Sequence, residues 1–368
     1  MDTRRNQRIP PAIALLIVVF ACVTALLASR LIAGLTRRST YDYKSVSIPA
    51  SFELEVVDDG FIYYDGSSIV SVTTDAKVKW SNLIGKNVSF HATDYGVASW
   101  TADKLTLIDG GSGTTIYSNN MDADVLSARV GEKYTAVLLG PEHDSTIVVM
   151  EKSGGRRVNS ITLTSQTVID YGFLSKGSLL WVMSLDTSGT VPSCTINTYR
   201  PGKERVGMIH DNEQLVYGVV FQSSYYCCVG TNFMKVYDYT GNNENKARRR
   251  LVYGWYMAAL DESVADDPLM VFVPNAQYDS QGAMQDVRMI RSNMDQQVRM
   301  PYGCQSLIAR NDRVYGFSTE GFVMIAQQGQ GEVKCYRLPM QFDHIYGVTN
   351  NNFAILGSGS TIHMLNLE

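Results

Sequence analysis

Two adjacent cysteines, Cys227 and Cys228, hold the most chemical potential in the chain. A vicinal pair can close a disulfide and act in redox chemistry. Their context, SSYYCCVG over 223–230, reads as a strand running into a hairpin. Successive strand residues point to opposite faces, a geometry unsuited to such a bridge. The pair is expected to be two packed thiols. Cys22 sits in an apolar run and reads as a small filler. Cys194, Cys227, Cys228, Cys304 and Cys335 lie outside that run, so at least one of the five stays unpaired. A Cys304–Cys335 bridge would join strands that are not neighbours, and it is not expected. His91, His143, His210, His344 and His363 lack the i+2 or i+4 partner of a zinc motif. No Asp-x-Asp-x-Asp-Gly loop and no Gly-x-Ser-x-Gly elbow occurs. No catalytic residue, metal or cofactor is therefore assigned. A centre assembled from distant loops would leave no linear motif.

Lys246, Arg248, Arg249 and Arg250, in NNENKARRRL, form the densest charge run. Such a run can contact anionic lipid headgroups or wall polymer, or form a solvated hairpin. The whole chain has 32 Lys and Arg against 36 Asp and Glu, a net charge of −4. That excludes a general nucleic-acid binder, which would neutralise phosphates with excess cations.

The elements that would position these residues begin with a membrane segment. Residues 11–28 carry no charge, Arg30 interrupts, and 31–35 continue the apolar stretch. About 20 apolar residues span a bilayer, and an Arg near the end can snorkel. Residues 11–35 are expected to be an uncleaved transmembrane signal anchor. Residues 1–10 are a short cytoplasmic tail, 36–42 a linker, and 43–368 a domain outside the cell membrane. Flanking Lys and Arg do not set this orientation; the long C-terminal domain does, because large domains translocate largely regardless of charge.

The remaining chain is written in short alternating runs rich in Val, Ile, Tyr and Thr, broken by Gly, Asn, Asp and Ser. That is the pattern of strands and turns. A unit of apolar strand, turn, strand, tight turn and strand recurs from Phe52, Val88, Val125, Val168, Leu215, Tyr256, Cys304 and Ile345. The mean spacing of about 42 residues matches a four-stranded propeller blade. Turns recur in register: Asp65-Gly66, Thr101-Ala102-Asp103, Ser318 to Gly321 and Gly357-Ser358-Gly359 between second and third strands, and Asp109 to Gly113, Lys152 to Gly155, Pro201-Gly202 and Gly241-Asn242 one strand later. The last unit has three strands, and 43–49 (YKSVSIP) can supply its fourth. The expected fold is all-β, an eight-bladed β-propeller preceded by one transmembrane helix. Seven blades are the alternative if 256–303 is misread. The histidines then fall at blade edges and tips.

The first unit, GFIYYDGSSIVSVTTDAKVKW over 60–80, resembles a quinoprotein-type (PQQ-like) repeat. Asp65-Gly66, Asp75 and a docking Trp80 match that pattern, while Trp100, Trp181 and Trp255 fall elsewhere. The layout of one span and a divergent propeller is similar to an uncharacterised membrane-anchored family of anaerobic Gram-positive bacteria, which implies no known activity. Eight-bladed quinoprotein dehydrogenases place a vicinal disulfide against their cofactor, so the resemblance would give Cys227 and Cys228 that role. The preferred expectation is a binding platform for another envelope protein or a cell-wall component, without a cofactor. The rival is a degenerate quinoprotein oxidoreductase or a glycan-active propeller enzyme. The expected contact surface is an arc of aromatic and Met residues in three consecutive blade connections: Tyr253, Trp255 and Tyr256, then Met300 and Tyr302, then Met340 and Phe342. Such residues combine large apolar area with adaptability. They could equally begin innermost strands and pack between blades.

Overall fold

The computed structural model describes residues 42–49 and 52–367, apart from 143, 175–177, 191, 223–224, 239, 263, 265 and 279–283. The expected tail and anchor, with Cys22, and His143 lie outside the described residues. Among those described, no helix is long and apolar enough to cross a membrane.

The chain forms eight four-stranded antiparallel sheets, each built from consecutive strands except the last. The first strands of most neighbouring sheets contact one another, which sets them around a common axis. Blades 1 to 8 thus occupy 54–83, 89–120, 125–162, 167–211, 216–251, 255–304, 306–337 and 344–366. Blade 8 takes its outer strand, Tyr43–Val46, from the start of the domain; it pairs with Thr361–Asn366, Tyr43 opposite Leu365 and Val46 opposite Ile362. The ring therefore closes with both ends of the domain in one sheet, Tyr43–Val46 covering the edge that Thr361–Asn366 would otherwise expose. The irregular 256–303 stretch is a complete blade, so there are eight. Its irregularity comes from an insertion with a helical turn over Asn275–Tyr278 and an eleven-residue outer strand, Met294–Cys304.

Packing explains the strand sequences. Second and third strands such as Leu179–Asp186 and Phe322–Gln327 are largely buried on both faces, because a blade lies against each side. Outer strands such as Val78–Leu83 alternate with solvent. The apolar core consequently consists of clusters in the clefts between adjacent blades. The turns supply the left-handed backbone that the sequence foreshadowed, with φ of +96° at Gly66, +47° at Ala102, +82° at Gly321 and +54° at Gly359.

A repeated grip joins each of several blades to the next. Trp80, third residue of blade 1's outer strand, donates its indole N–H to the Gly110 carbonyl at 2.9 Å. It lies on the turn between the third and fourth strands of blade 2, where a Cβ at Gly113 (φ +71°) would stand 2.6 Å from the ring. Tyr117 takes the same place against Gly155 of blade 3. Asn159 donates to the Lys203 carbonyl at 3.1 Å and accepts from the Gly202 amide. Gln296 donates to the Gln330 carbonyl at 3.0 Å and accepts from the Gly329 amide at 2.9 Å. The docking role expected of Trp80 is thus filled elsewhere by Tyr, Asn and Gln, which is why a search for Trp finds one blade only.

Candidate binding site at the ring axis

Strand direction fixes two faces. Turns between strands 1 and 2 and between 3 and 4 share one face; turns between 2 and 3 and the connections between blades share the other. The expected aromatic arc belongs to the second face, but its members separate into different clefts. Tyr253 is 75% exposed. Trp255 is half-buried in the cleft of blades 5 and 6, with the Arg288 guanidinium 5.7 Å from its ring centroid. Tyr256 is held between Tyr217 at 4.8 Å and Tyr278 at 4.1 Å. Met300 and Tyr302 lie on the long outer strand of blade 6 rather than in a connection. Met300 is buried in the cleft of blades 6 and 7, and Tyr302 stacks on Phe322 at 4.5 Å. Phe342 is buried and Met340 half-buried between blades 7 and 8.

The basic run interrupts the outer strand of blade 5 as a 3₁₀ turn over Lys246–Arg248. Its guanidinium groups are engaged within the chain. Arg248 donates to Gln222 and to Ser292 Oγ, the latter at 2.7 Å. Arg249 pairs with Glu213 at 2.7 Å and lies 4.0 Å over Phe233. Arg250 donates to the Ser292 carbonyl at 3.2 Å. Lys246 is exposed.

The cysteines are packed thiols. Cys227 faces the cleft of blades 5 and 6, and Cys228 that of blades 4 and 5. Cys194, Cys227, Cys228, Cys304 and Cys335 are all unbridged. Burial pushes the Cys227 thiol up to about 12 and Cys228 well above its usual range, so neither is a ready nucleophile.

A concentration of functional groups lies elsewhere, on the axis. A cavity of about 990 Å³ opens on the face of the strand 1–2 turns. Innermost strands of blades 1 to 4 contribute one charged or titratable side chain each: Glu55, His91, Arg129 and Asp170. Blades 4 and 5 contribute an aromatic wall of Phe173, Trp181, Phe221, Tyr225 and Tyr226. Phe221 stands between Trp181 at 5.9 Å and Tyr226 at 5.1 Å. Gly131 admits Phe173, since a Cβ there would lie 2.9 Å from that ring. Arg129 meets Asp170 at 3.5 Å and lies 5.4 Å over Tyr171. These three residues also line a smaller recess of about 350 Å³ towards the other face, so they form the partition between the two.

His91 therefore faces the axis rather than a blade edge or tip, in contrast to the sequence expectation. Burial, helped by the Arg129 charge, holds its imidazole down to about 4, so it is neutral at pH 7. Glu55 accepts the Ala92 amide. Burial pushes its carboxyl up to about 7, Glu53 adds to the rise, and the amide bond and Arg129 oppose it. A carboxyl held above its unfolded value favours folding when protonated and loses that advantage as pH rises through 7. Glu55→Gln should therefore raise stability at pH 8 by about 1–3 kcal/mol and leave it nearly unchanged at pH 4, below the unfolded value. Melting curves of both proteins at the two pH values check this. Equal effects at both would show that Glu55 ionises freely.

Among the described residues, no group of three or more His, Cys, Asp or Glu could hold a metal ion. No protein-family model matches the chain, and no curated protein matches it in sequence. Solved structures do resemble it. BamB from Moraxella catarrhalis superposes with a TM-score of 0.58 at 11% identity over 89% of this chain and 99% of its own. Sqt1 of Saccharomyces cerevisiae gives 0.57 at 11% over 89% and 97%. The C-terminal WD40 domain of Sif2 gives 0.60 at 9% over 89% and 99%. At these identities the likeness is one of fold: the chain is built like these β-propellers.

Proposed function

We propose that the chain is a membrane-anchored binding platform that displays its propeller outside the cytoplasmic membrane and docks a protein or an envelope component there. The anchor and its orientation come from the apolar segment 11–35 and the long domain after it. The observation that supports docking is the axial cavity, where a charged arc faces an aromatic wall on a rigid closed ring. Concave sites with an apolar lining and a few placed polar groups are the usual form of binding sites. Fold alone does not assign a function.

Two measurements test it. Cys335 is the exposed thiol among the described cysteines. A membrane-impermeant maleimide should label it in intact cells, and labelling only after lysis would overturn the orientation. For docking, a photocrosslinking residue should replace Tyr225, 42% exposed at the cavity mouth, or Tyr253 on the other face, with Leu83, 79% exposed on an outer strand, as the control. One reproducible adduct absent from the Leu83 control is the expected result. Adducts at neither site above that control would sink the platform.

A further inference from the structure

We infer, building on the platform reading, that the axial cavity takes a cationic side chain, lysine or arginine, presented by a partner polypeptide next to an aromatic or apolar residue. The charge balance of the lining selects the sign. Glu55, Asp170 and Glu262 are carboxyl groups on the wall, against Arg129 on the wall, Arg248 behind it on Gln222 and Tyr225, and a neutral His91. Arg129 is already committed to Asp170 and to the Tyr171 face. Glu55 has an amide donor, and no ion pair reaches it or Glu262 among the described residues. An anionic ligand would meet these two carboxyl groups with the arginine occupied. A cationic one would supply the counter-charge that the half-buried Glu55 lacks, with the exposed Glu262 beside it.

The aromatic wall selects the same sign. Ring faces attract cations within about 6 Å, more strongly when water is excluded. The chain already uses this attraction at the cavity: the guanidinium of Arg129 stands 5.4 Å over Tyr171, and that of Arg248 stands 5.4 Å over Tyr225. On the same face, the turns of blades 1 and 2 add Asp58, Asp59 and Asp94 around a recess of about 270 Å³. Among the described residues, Asp59 pairs with Lys79 at 3.2 Å, and the Arg310 charge acts on Asp58. The blade 1 and 2 side of the mouth thus carries three carboxyl groups against Lys79, Lys152 on the Tyr95 carbonyl and Arg310, and its acidic turns can steer a basic segment. The volume, at the upper end of ordinary ligand pockets, admits a basic residue with its apolar neighbour.

The test uses the full chain in detergent micelles and acetyl-Phe-Arg-amide as the probe. Acetyl-Phe-citrulline-amide keeps the shape and removes the charge, and phenethylammonium is a free amine without a peptide. Titration calorimetry, with the fluorescence of Trp181 as a second readout, should show the arginine peptide binding at least tenfold more tightly than the citrulline peptide and the free amine. Glu55→Gln/Glu262→Gln should reduce that affinity at least tenfold. Its melting temperature at pH 8 should not fall, which separates lost binding from lost folding. Equal binding of the arginine and citrulline peptides, no binding at millimolar concentration, or an unaffected double variant would overturn the inference. Tighter binding of phenethylammonium would overturn its polypeptide part. A crosslinked partner that the arginine peptide fails to displace would end this inference and leave the platform standing. Peptide binding without any crosslinked partner would do the reverse.

Discussion

Replacing Lys235 with methionine should cost about 3–5 kcal/mol, the usual loss when a buried pair is broken from one side. Lys235 lies in the third strand of blade 5 and is 2% exposed. Its ammonium meets Asp211, at the end of blade 4, at 2.9 Å, and Glu213, in the connection between the blades, at 3.0 Å. Asp211 is also held by the Gln214 side chain at 3.1 Å and the Glu213 amide at 2.9 Å. Glu213 in turn pairs with Arg249. Methionine fills a similar volume, so the loss isolates the charge. It strands a carboxylate with no exposed surface in the cleft. For a domain with total stability near 5–15 kcal/mol this is a large fraction, and the melting temperature should drop by roughly 10 °C. Lys235→Met/Asp211→Leu should recover most of it, because removing both charges removes the desolvation cost. A single variant that melts with the parent would show that water reaches the pair.

Asp211 also shows what the sequence concealed. His210-Asp211-Asn212-Glu213 is a run of polar residues, yet Asp211 is buried. Lys235 breaks the apolar run of FMKVYD, and a lysine in a strand covered on both faces was the available signal. The strands and turns were legible because period-two alternation and positive-φ turns act locally, as at Gly66 and Gly321. The number of blades was legible because those local signals repeat. The axial site was not. Glu55, His91, Arg129 and Asp170 stand in four different blades, and only ring closure brings them together. Each occupies the middle or end of an innermost strand, so comparing first strands across blades would have shown the series. The reading of Met300 and Tyr302 as a connection missed that the outer strand of blade 6 runs on to Cys304. The basic run concealed another outcome: its arginines serve as inter-blade ties through Glu213 and Ser292.

Closure of the ring should carry the largest effect of any local deletion. Tyr43–Val46 is the outer strand of blade 8, bonded only to Thr361–Asn366 within its sheet. Several other contacts depend on it. Ile48, just beyond, is buried with Phe61, Val70 and Ile355 between blades 8 and 1. The Lys44 ammonium pairs with Asp75 in the turn of blade 1, the seam's counterpart of the grip that Trp80 makes one blade later. Ser45 Oγ lies 2.8 Å from His363 Nδ1. Deleting 43–48 while keeping the preceding chain would leave Thr361–Asn366 as an open edge and take Ile48 from the core. Burying a side chain of that size is worth about 1.5–3 kcal/mol by itself, and four ladder residues are lost with it. The deletion should abolish one cooperative melt and promote association through the exposed edge. Lys44→Ala should change little, because exposed ion pairs contribute about 0–1 kcal/mol. Supplying the peptide 42–49 in trans should restore part of the lost melting temperature, since it can pair with the same edge. A deletion variant that melts like the parent and stays monomeric would show that blade 8 holds with three strands. The seam would then be sealed by the apolar cleft of blades 8 and 1 rather than by the shared sheet.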